Sequence, residues 1–206
     1  MIANINSSIK AIIFDLGNVI VDFDHFIICR KLAEYSNYSP EQVKEKIFTS
    51  GLEEQFDRGQ ISPETFFKAI SKELSIDIDI ALFRKIWNNI FSLNAGIEQL
   101  IKRLQGKYKL LCLSNTNPWH FEFCMQTFPV LNNFDSFILS FKVGEKKPHK
   151  KIFQKVTEEA NALPWKCLYI DDIKKFVKAA EDRGIKGIHF ISAEQLEKEL
   201  EVFGVL

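Results

Sequence analysis

The stretch AIIFDLGNVIVD, residues 11–22, decides the fold, and it begins with four apolar residues, Ala11 to Phe14. Turn-forming residues follow at 15–18, so the pattern predicts a fully buried strand that ends in a loop. Four later runs have the same character, at residues 109–113, 136–140, 167–170 and 187–191. Helical patterns separate them, at residues 97–104, 120–128, 150–160 and 174–183, the last closed by Gly184. Strands that alternate with helices predict an α/β fold whose central parallel sheet is covered by helices on both faces.

The interval between the first two predicted strands is too long for one crossover, and it carries only helical signals. Ser39-Pro40, Ser62-Pro63 and Asp79 each have the composition of a helix N-terminus. We therefore expect an all-helical domain at residues 23–93, inserted after strand one. The core domain is then made of residues 1–22 and 94–206, with hinges near residues 21–24 and 94–96.

The 206-residue chain carries 27 Lys and Arg residues against 27 Asp and Glu residues, so its formal net charge is zero. This balance argues against a protein that attracts nucleic acid by a basic field, and no nucleic acid partner is expected. No apolar run approaches the roughly 20 residues of a membrane-spanning helix, so no membrane association is expected. The first ten residues lack the basic start of a secretory signal, and the four cysteines lack metal-binding spacing. A reducing cytoplasm is the expected location, and the sequence does not indicate an oligomeric state.

Polar residues follow the predicted strands, and the carboxyl ends of parallel strands are where ligands bind in open sheets. The residues expected to converge there are Asp15, Asn18, Ser114, Asn115, Thr116, Asn117, Lys142, Lys146, Lys147, Asp171 and Asp172. Paired carboxylates can hold Mg²⁺, and hydroxyl, amide and ammonium groups suit phosphate oxygens. A carboxylate directed at phosphorus can act as a nucleophile. The set predicts magnesium-assisted chemistry on a phosphate ester, although Asp15, or the pair at 171–172, would alone be read as a turn or helix-capping residue.

Four motifs in sequence order resemble the haloacid dehalogenase (HAD) superfamily: FDLGNVIVD at 14–22, LSNTN at 113–117, GEKKP at 144–148 and YIDD at 169–172. The resemblance implies a Rossmann-like core and identifies the helical insert as a C1 cap. The subgroup with the first two of these motifs includes sugar-phosphate phosphatases.

The resemblance also assigns roles to individual residues. It implies that Asp15 is the nucleophile, and that Asp15, the main-chain carbonyl of Gly17 and Asp172 hold Mg²⁺, with Asp171 as a further candidate ligand. Phosphate binding is implied for Ser114 and Asn115, and for Lys147, which is also expected to be catalytic.

Two positions depart from the family pattern. Most HAD phosphatases carry an aspartate two residues after the nucleophile as general acid and base, whereas this chain has Gly17, which cannot donate a proton. Water, Asp22 or a residue of the cap is left as the proton source. Related motifs also place an Asn or Asp a few residues after the acidic pair, where it orients the metal ligands. This chain has Ile-Lys-Lys-Phe at residues 173–176 instead, and loss of such an orienting group commonly weakens metal binding.

The expected function is therefore a Mg²⁺-dependent phosphatase that acts on a small phosphorylated metabolite, such as a sugar phosphate, through an aspartyl-phosphate on Asp15. One alternative is a haloacid dehalogenase, in which Asp15 attacks carbon without a metal; the acidic pair at 171–172 argues against it. The other is a HAD-like protein that binds a ligand with weak or no turnover, which Gly17 and Phe176 would suit. The sequence leaves the substrate open.

Several residues near the predicted site are expected to have other roles. Lys146, Lys150 and Lys151 are interpreted as a solvent-exposed face. The four histidines lack ligand-like spacing and are expected at the surface or in the core, although His25 and His120 lie near the predicted mouth. Phe23 and Trp119 are candidates to line the substrate pocket.

Overall fold

The computed structural model describes residues 9–206. The expectation about a secretory signal concerns mostly residues 1–8, which lie outside the described residues, as does the start of the predicted core domain. The strands are β1 (Ala11–Phe14), β2 (Val21–Phe23), β3 (Phe91–Leu93), β4 (Lys109–Ser114), β5 (Ser136–Leu139), β6 (Cys167–Asp171) and β7 (Lys186–His189). The helices are α1 (His25–Ala33), α2 (Pro40–Phe48), α3 (Leu52–Asp57), α4 (Pro63–Leu74), α5 (Ile80–Asn88), α6 (Ile97–Leu104), α7 (Pro118–Thr127), α8 (Ser140–Val143), α9 (Lys150–Ala160), α10 (Lys174–Glu181) and α11 (Ala193–Val202).

The predicted parallel sheet is confirmed, with strand order β5-β4-β1-β6-β7. Strand β1 lies at its centre, paired in parallel with β4 and with β6. All four residues of β1 are buried because both faces of the sheet are covered by helices. Alternate residues face opposite layers: Ile12 and Phe14 pack in one hydrophobic cluster, and Ala11 and Ile13 pack in the other. Because β1 is the central strand, its carboxyl end lies at the middle of the carboxyl edge of the sheet, where ligands bind in open parallel sheets.

The inserted segment at residues 23–93, called the cap below, has a hydrophobic core of its own, centred on Phe56, Phe66, Phe83 and Trp87. The three expected helix starts are confirmed, since Ser39, Ser62 and Asp79 each accept a hydrogen bond from a backbone N–H of the first turn. Helices α1 and α3 were not predicted; Asp24 caps α1 by accepting from the N–H of Phe26, whereas α3 follows Gly51 without a side-chain cap.

The expectation of a strand-free insert was wrong at its two ends. Strands β2 and β3 form an antiparallel ribbon in which Val21 pairs with Leu93 and Phe23 with Phe91. Strands of three residues are too short to show a two-residue hydrophobic alternation, so nothing in the sequence separates them from loop. The ribbon lies where the hinges were expected, and the domain boundaries at 22/23 and 93/94 stay a prediction.

The helices of residues 9–206 are short relative to a bilayer, and none combines the length and hydrophobicity needed to cross one.

Candidate active site

Three carboxylates meet at the carboxyl edge of the sheet. Asp15 directly follows β1, Asp171 ends β6 and Asp172 follows it. One oxygen of each carboxylate lies within 4.8 Å of the others. The sheet register brings them together, because β1 and β6 are neighbours and Phe14 is aligned with Ile170.

Lys147 is buried between these acids, with its side chain 1% exposed. Its Nζ lies 2.8 Å from Asp15 Oδ1 and 2.8 Å from Asp171 Oδ2, and it donates to the carbonyl oxygen of Leu113 at 3.4 Å. Burial alone would lower the pKa of Lys147, but the carboxylates of Asp15 and Asp171 outweigh it and raise that pKa above its usual value. Lys147 therefore stays charged.

Asp15 is in the opposite situation. Burial raises the pKa of the Asp15 carboxyl to about 7, helped by the nearby carboxylate of Asp171 and opposed by the ammonium of Lys147. The backbone N–H of Leu16 donates to Asp15 Oδ1 at 2.7 Å, the same oxygen that Lys147 contacts. The second oxygen, Oδ2, is left for a cation or for attack on a substrate.

The two acids of the fourth motif differ in how firmly they are held. Asp171 is fully buried and accepts from Lys147, from the hydroxyl of Tyr169 and, at 2.8 Å, from the backbone N–H of Ile173. Asp172 is half-buried, and its Oδ2 accepts from Asn18 Nδ2 at 3.2 Å, which leaves Oδ1 for another partner. Burial raises the pKa of Asp172, and the charge of Asp171 adds to this.

This donor set fits Mg²⁺. Three clustered carboxylates face a single ammonium, so the site carries excess negative charge that a divalent cation would compensate. Carboxylate oxygens of Asp15 and Asp172 are the hard ligands that magnesium prefers, and the hydrogen bonds leave Oδ1 of Asp172 open. Asp171 is occupied by Lys147 and Tyr169, which suits it better to holding Lys147 than to holding a metal.

Ser114 ends β4 and Asn115 follows it, beside this site. The side chain of Asn115 is bonded at both ends to the main chain of Lys147: its Oδ1 accepts from the N–H at 2.7 Å, and its Nδ2 donates to the carbonyl at 3.2 Å. This contact fixes the loop that carries Lys147. Ser114 is 3% exposed and faces the cavity described below. Phosphate binding by these two residues stays a prediction.

The ring of Phe176 packs against the side chain of Lys147. The ammonium of Lys147 is 5.1 Å from the centre of the Phe176 ring, within the range of a cation–π contact. The aromatic ring therefore supports the lysine.

A small cavity of about 70 Å³ lies between the core and the cap. Its core side is formed by Leu16, Gly17, Ser114, Asn115 and Thr116, and its cap side by Phe23, His25, Glu53, Asp57 and Phe91, with His120 of α7 completing it. Phe23 thus lines the pocket as expected. Trp119 instead packs with the core of the cap.

Asp22, one of the expected proton sources, points away from this cavity. It is exposed on strand β2, and its Oδ1 accepts from Asn94 Nδ2 at 3.0 Å across the hinge ribbon.

Lys146 was predicted at a solvent-exposed face, and this is wrong. Its Nζ lies 2.9 Å from Asp57 Oδ2 and 3.1 Å from Glu54 Oε2, so it joins the loop between α8 and α9 to helix α3 of the cap. The hydroxyl of Ser140 donates to the carbonyl oxygen of Asp57 at 2.6 Å. Arg58 adds an ion pair with Glu145 at 2.5 Å. Because these contacts are all between cap and core, they hold the cap against the core. Lys150 and Lys151 are exposed as expected.

The two histidines of the cavity are neutral. Burial lowers the pKa of His25 to about 4 and that of His120 to about 3. The ring of His120 is bonded on both nitrogens: Nε2 is 3.0 Å from the carbonyl oxygen of Trp87, and Nδ1 is 3.1 Å from Asn117 Nδ2. The ring of His25 stacks on Phe48 at 4.9 Å and faces the cavity.

Comparison with known proteins places these features in context. A family model described as a haloacid dehalogenase-like hydrolase matches residues 9–184. The chain is 24% identical over 202 residues to D-ribitol-5-phosphate phosphatase of Bacteroides thetaiotaomicron, which covers 94% of this chain and 98% of that protein. It is 24% identical over 190 residues to a phosphorylated carbohydrates phosphatase of Thermotoga maritima, covering 87% and 84% of the two chains. A crystal structure of a HAD family enzyme from Bacteroides thetaiotaomicron, in complex with magnesium and inorganic phosphate, matches with a TM-score of 0.81 and 26% identity, over 89% of this chain and 95% of that one.

Proposed function

The chain belongs to the haloacid dehalogenase-like hydrolases, and from this premise we propose that it is a Mg²⁺-dependent phosphatase for a small phosphorylated metabolite. Asp15 is the nucleophile and forms an aspartyl-phosphate. A sugar or sugar-alcohol phosphate is the favoured substrate class, because two similar proteins are phosphatases of such compounds.

The observation that carries this proposal is the cluster of Asp15, Asp171 and Asp172 around Lys147. Three carboxylates whose oxygens lie within 4.8 Å of one another are costly to keep charged unless cations face them. Lys147 supplies one positive charge, and Mg²⁺ would supply the rest. A phosphate dianion needs both, because it has to approach a carboxylate of the same sign.

The site residues are proposed to have three roles: nucleophile, metal ligand and phosphate ligand. Asp15 Oδ2 is free to attack phosphorus, while Oδ1 is fixed by Lys147 and by the N–H of Leu16. Asp172, Asp15 and the main-chain carbonyl of Gly17 would hold Mg²⁺, which when bound neutralises charge on the phosphoryl oxygens. Lys147, Ser114 and Asn115 are proposed to bind the phosphoryl group, with the Asn115 side chain also fixing the Lys147 loop.

The acidic pair favours phosphate over halide chemistry. A dehalogenase needs neither a metal nor a second carboxylate beside its nucleophile, and here Asp171 and Asp172 raise the electrostatic cost of the site. A cation would remove that cost.

The cavity between core and cap is too small for a sugar phosphate. Its volume is about 70 Å³, whereas sites for small molecules typically measure about 300–1,000 Å³. The cap therefore has to move away from the core to admit a substrate, and its return excludes bulk water from the site. The four cysteines are buried free thiols, which supports the proposed cytoplasmic location.

The test is release of inorganic phosphate from p-nitrophenyl phosphate, ribitol 5-phosphate and a panel of sugar phosphates. We expect activity that requires Mg²⁺, is abolished by chelator and is lost in Asp15→Asn. Asp22→Asn is the matched control, because Asp22 is an exposed aspartate outside the site. Equal activity of Asp15→Asn and Asp22→Asn would contradict the proposal.

A further inference from the structure

The family position for the general acid is closed to a side chain in this protein. A Cβ added to Gly17 would lie 2.6 Å from a ring carbon of Phe23, so the aromatic ring occupies the space of the missing acid. Asp22 is exposed and bonded to Asn94. A leaving alcohol would nevertheless lie above Gly17, in the cavity between core and cap, and needs a proton donor there.

Four titratable side chains line that cavity: His25, Glu53, Asp57 and His120. Both nitrogens of the His120 ring have partners. Asp57 is held by Lys146 at 2.9 Å and by Asn117 Nδ2 at 3.3 Å. These two side chains are fixed by their partners as parts of the cap–core contact, so neither is free to turn toward a leaving oxygen.

The remaining two differ in what they can donate. His25 is a neutral imidazole at neutral pH, which is a poor acid toward an alcohol oxygen. Glu53 is half-buried on α3 and faces the cavity, and among residues 9–206 it makes no hydrogen bond or ion pair that would hold its carboxyl group. From this geometry we propose that Glu53, supplied by the cap, is the general acid that protonates the leaving oxygen. The inference rests on the proposed phosphatase function and assigns the role left vacant at Gly17.

The charges around Glu53 suit this role. The pKa of the Glu53 carboxyl is raised to about 7, mainly by burial and also by the carboxylates of Asp57 and Glu54 on the same helix, against the opposing charge of Lys146. Lys146 is already committed to Asp57 and Glu54. The neighbouring histidines of the cavity add no positive charge at neutral pH. A glutamic acid that is partly protonated at neutral pH can give its proton and take one back.

The step balances as follows. Asp15 Oδ2 forms a bond to phosphorus as the bond from phosphorus to the ester oxygen breaks, and that oxygen keeps the electron pair. It takes the proton of Glu53, so an alcohol leaves and Glu53 becomes a carboxylate. In the second step a water oxygen forms a bond to phosphorus as the bond from phosphorus to Asp15 Oδ2 breaks, and Asp15 keeps that electron pair. The Glu53 carboxylate accepts the proton that the water gives up, so both acids are restored and phosphate is released.

The experiment compares Glu53→Gln with wild type on two esters, ribitol 5-phosphate and p-nitrophenyl phosphate. The first has an alkoxide leaving group that needs a proton, and the second has a phenolate that does not. The kcat/KM is measured because it covers only the steps through release of the alcohol. Glu45→Gln is the matched control, since Glu45 is an exposed glutamate of the cap that forms no ion pair in the described part of the chain.

We expect Glu53→Gln to lose about 10²-fold or more of kcat/KM on ribitol 5-phosphate, the usual contribution of a general acid, and less than about threefold on p-nitrophenyl phosphate. Wild-type kcat/KM on the alkyl ester should fall as pH rises through about 7, and this limb should be absent in the variant. Glu45→Gln should match wild type on both esters.

Equal losses on the two esters, or none, would overturn the assignment while leaving the phosphatase proposal intact. No phosphate release by wild type from either ester would overturn both. A readout without turnover is the NMR titration of the Glu53 carboxyl carbon, identified by its loss in Glu53→Gln. A midpoint near the ordinary glutamate pKa, about 4.3, would also overturn the role.

Discussion

Replacing Lys146 with methionine removes the charge that joins cap and core while keeping most of the aliphatic side chain. The lysine is 17% exposed and contacts Asp57, whose side chain is 7% exposed, and Glu54, which is 50% exposed. The Glu54 contact is worth at most about 1 kcal/mol, because solvent screens it. Breaking a fully buried pair costs about 3–5 kcal/mol, since a carboxylate is left without its partner. Asp57 keeps its bond from Asn117, so we expect Lys146→Met to lower the free energy of unfolding by about 2 kcal/mol.

The assay is urea unfolding at pH 8 and at pH 5, with Lys150→Met as the control on an exposed lysine. Burial raises the pKa of Asp57, so this carboxyl takes up a proton more readily than an ordinary aspartate as the pH falls, and a neutral carboxyl needs no cation. The cost of Lys146→Met should therefore be smaller at pH 5 than at pH 8. The double variant Lys146→Met with Asp57→Asn should recover part of the loss. If Lys146→Met and Lys150→Met were equally stable at both pH values, the closing role of Lys146 would be refuted.

Three further substitutions test other contacts. The pKa of His120 is lowered from 6.5 to about 3, so the unfolded chain binds a proton there that the folded protein does not, and stability is lost as pH falls from about 6.5 toward 3. The free energy of unfolding of His120→Gln, measured from pH 7 to 4.5, should therefore depend less on pH than that of wild type, by up to about 1.4 kcal/mol per pH unit. An unchanged pH dependence would contradict this role of His120. Tyr169→Phe should lower the free energy of unfolding by about 1.5 kcal/mol and reduce kcat, because Asp171 loses a donor; wild-type values for both would contradict this. Gly17→Ala should lower the free energy of unfolding by about 1–3 kcal/mol, because the added methyl group meets the Phe23 ring. In a chain that also carries Phe23→Ala, the same substitution should lower the free energy of unfolding by less. An equal loss with and without the Phe23 ring would contradict the clash.

The core of the fold was predictable because its signals are local and strong. Strands β1, β4 and β6 are apolar runs that begin and end where the sequence changes character, and α6 and α9 have the predicted bounds. The family resemblance is confirmed by the match over residues 9–184. The ribbon of β2 and β3 was missed because three-residue strands carry no periodic signal.

The acidic cluster was also predictable, since neighbouring parallel strands must bring their ends together. The residues that hold the cluster were not all found. Tyr169 lies two residues before Asp171 and therefore on the same face of β6, so the two-residue period of the strand could have indicated it. Phe176 had been noted only as a departure from the pattern, and its contact with Lys147 depends on how α10 packs.

The cap side of the site could not be predicted. Glu53 and Asp57 are two of the three acids on the short helix α3, and the packing of α3 against α8 directs them inward. Lys146 looks like its exposed neighbours in the sequence, and it is buried by residues about 90 positions away. Long-range contacts of this kind leave no local trace in composition or spacing.

The most direct test of the central claim is whether the phosphoryl group passes through Asp15. Wild-type protein mixed with p-nitrophenyl phosphate and Mg²⁺ is quenched in acid within the first turnover, digested and examined by peptide mass spectrometry. We predict a phosphorylated peptide whose modification maps to Asp15, absent without Mg²⁺ and absent in Asp15→Asn. Rapid turnover with an unmodified Asp15, or with the phosphoryl group on another residue, would contradict the account.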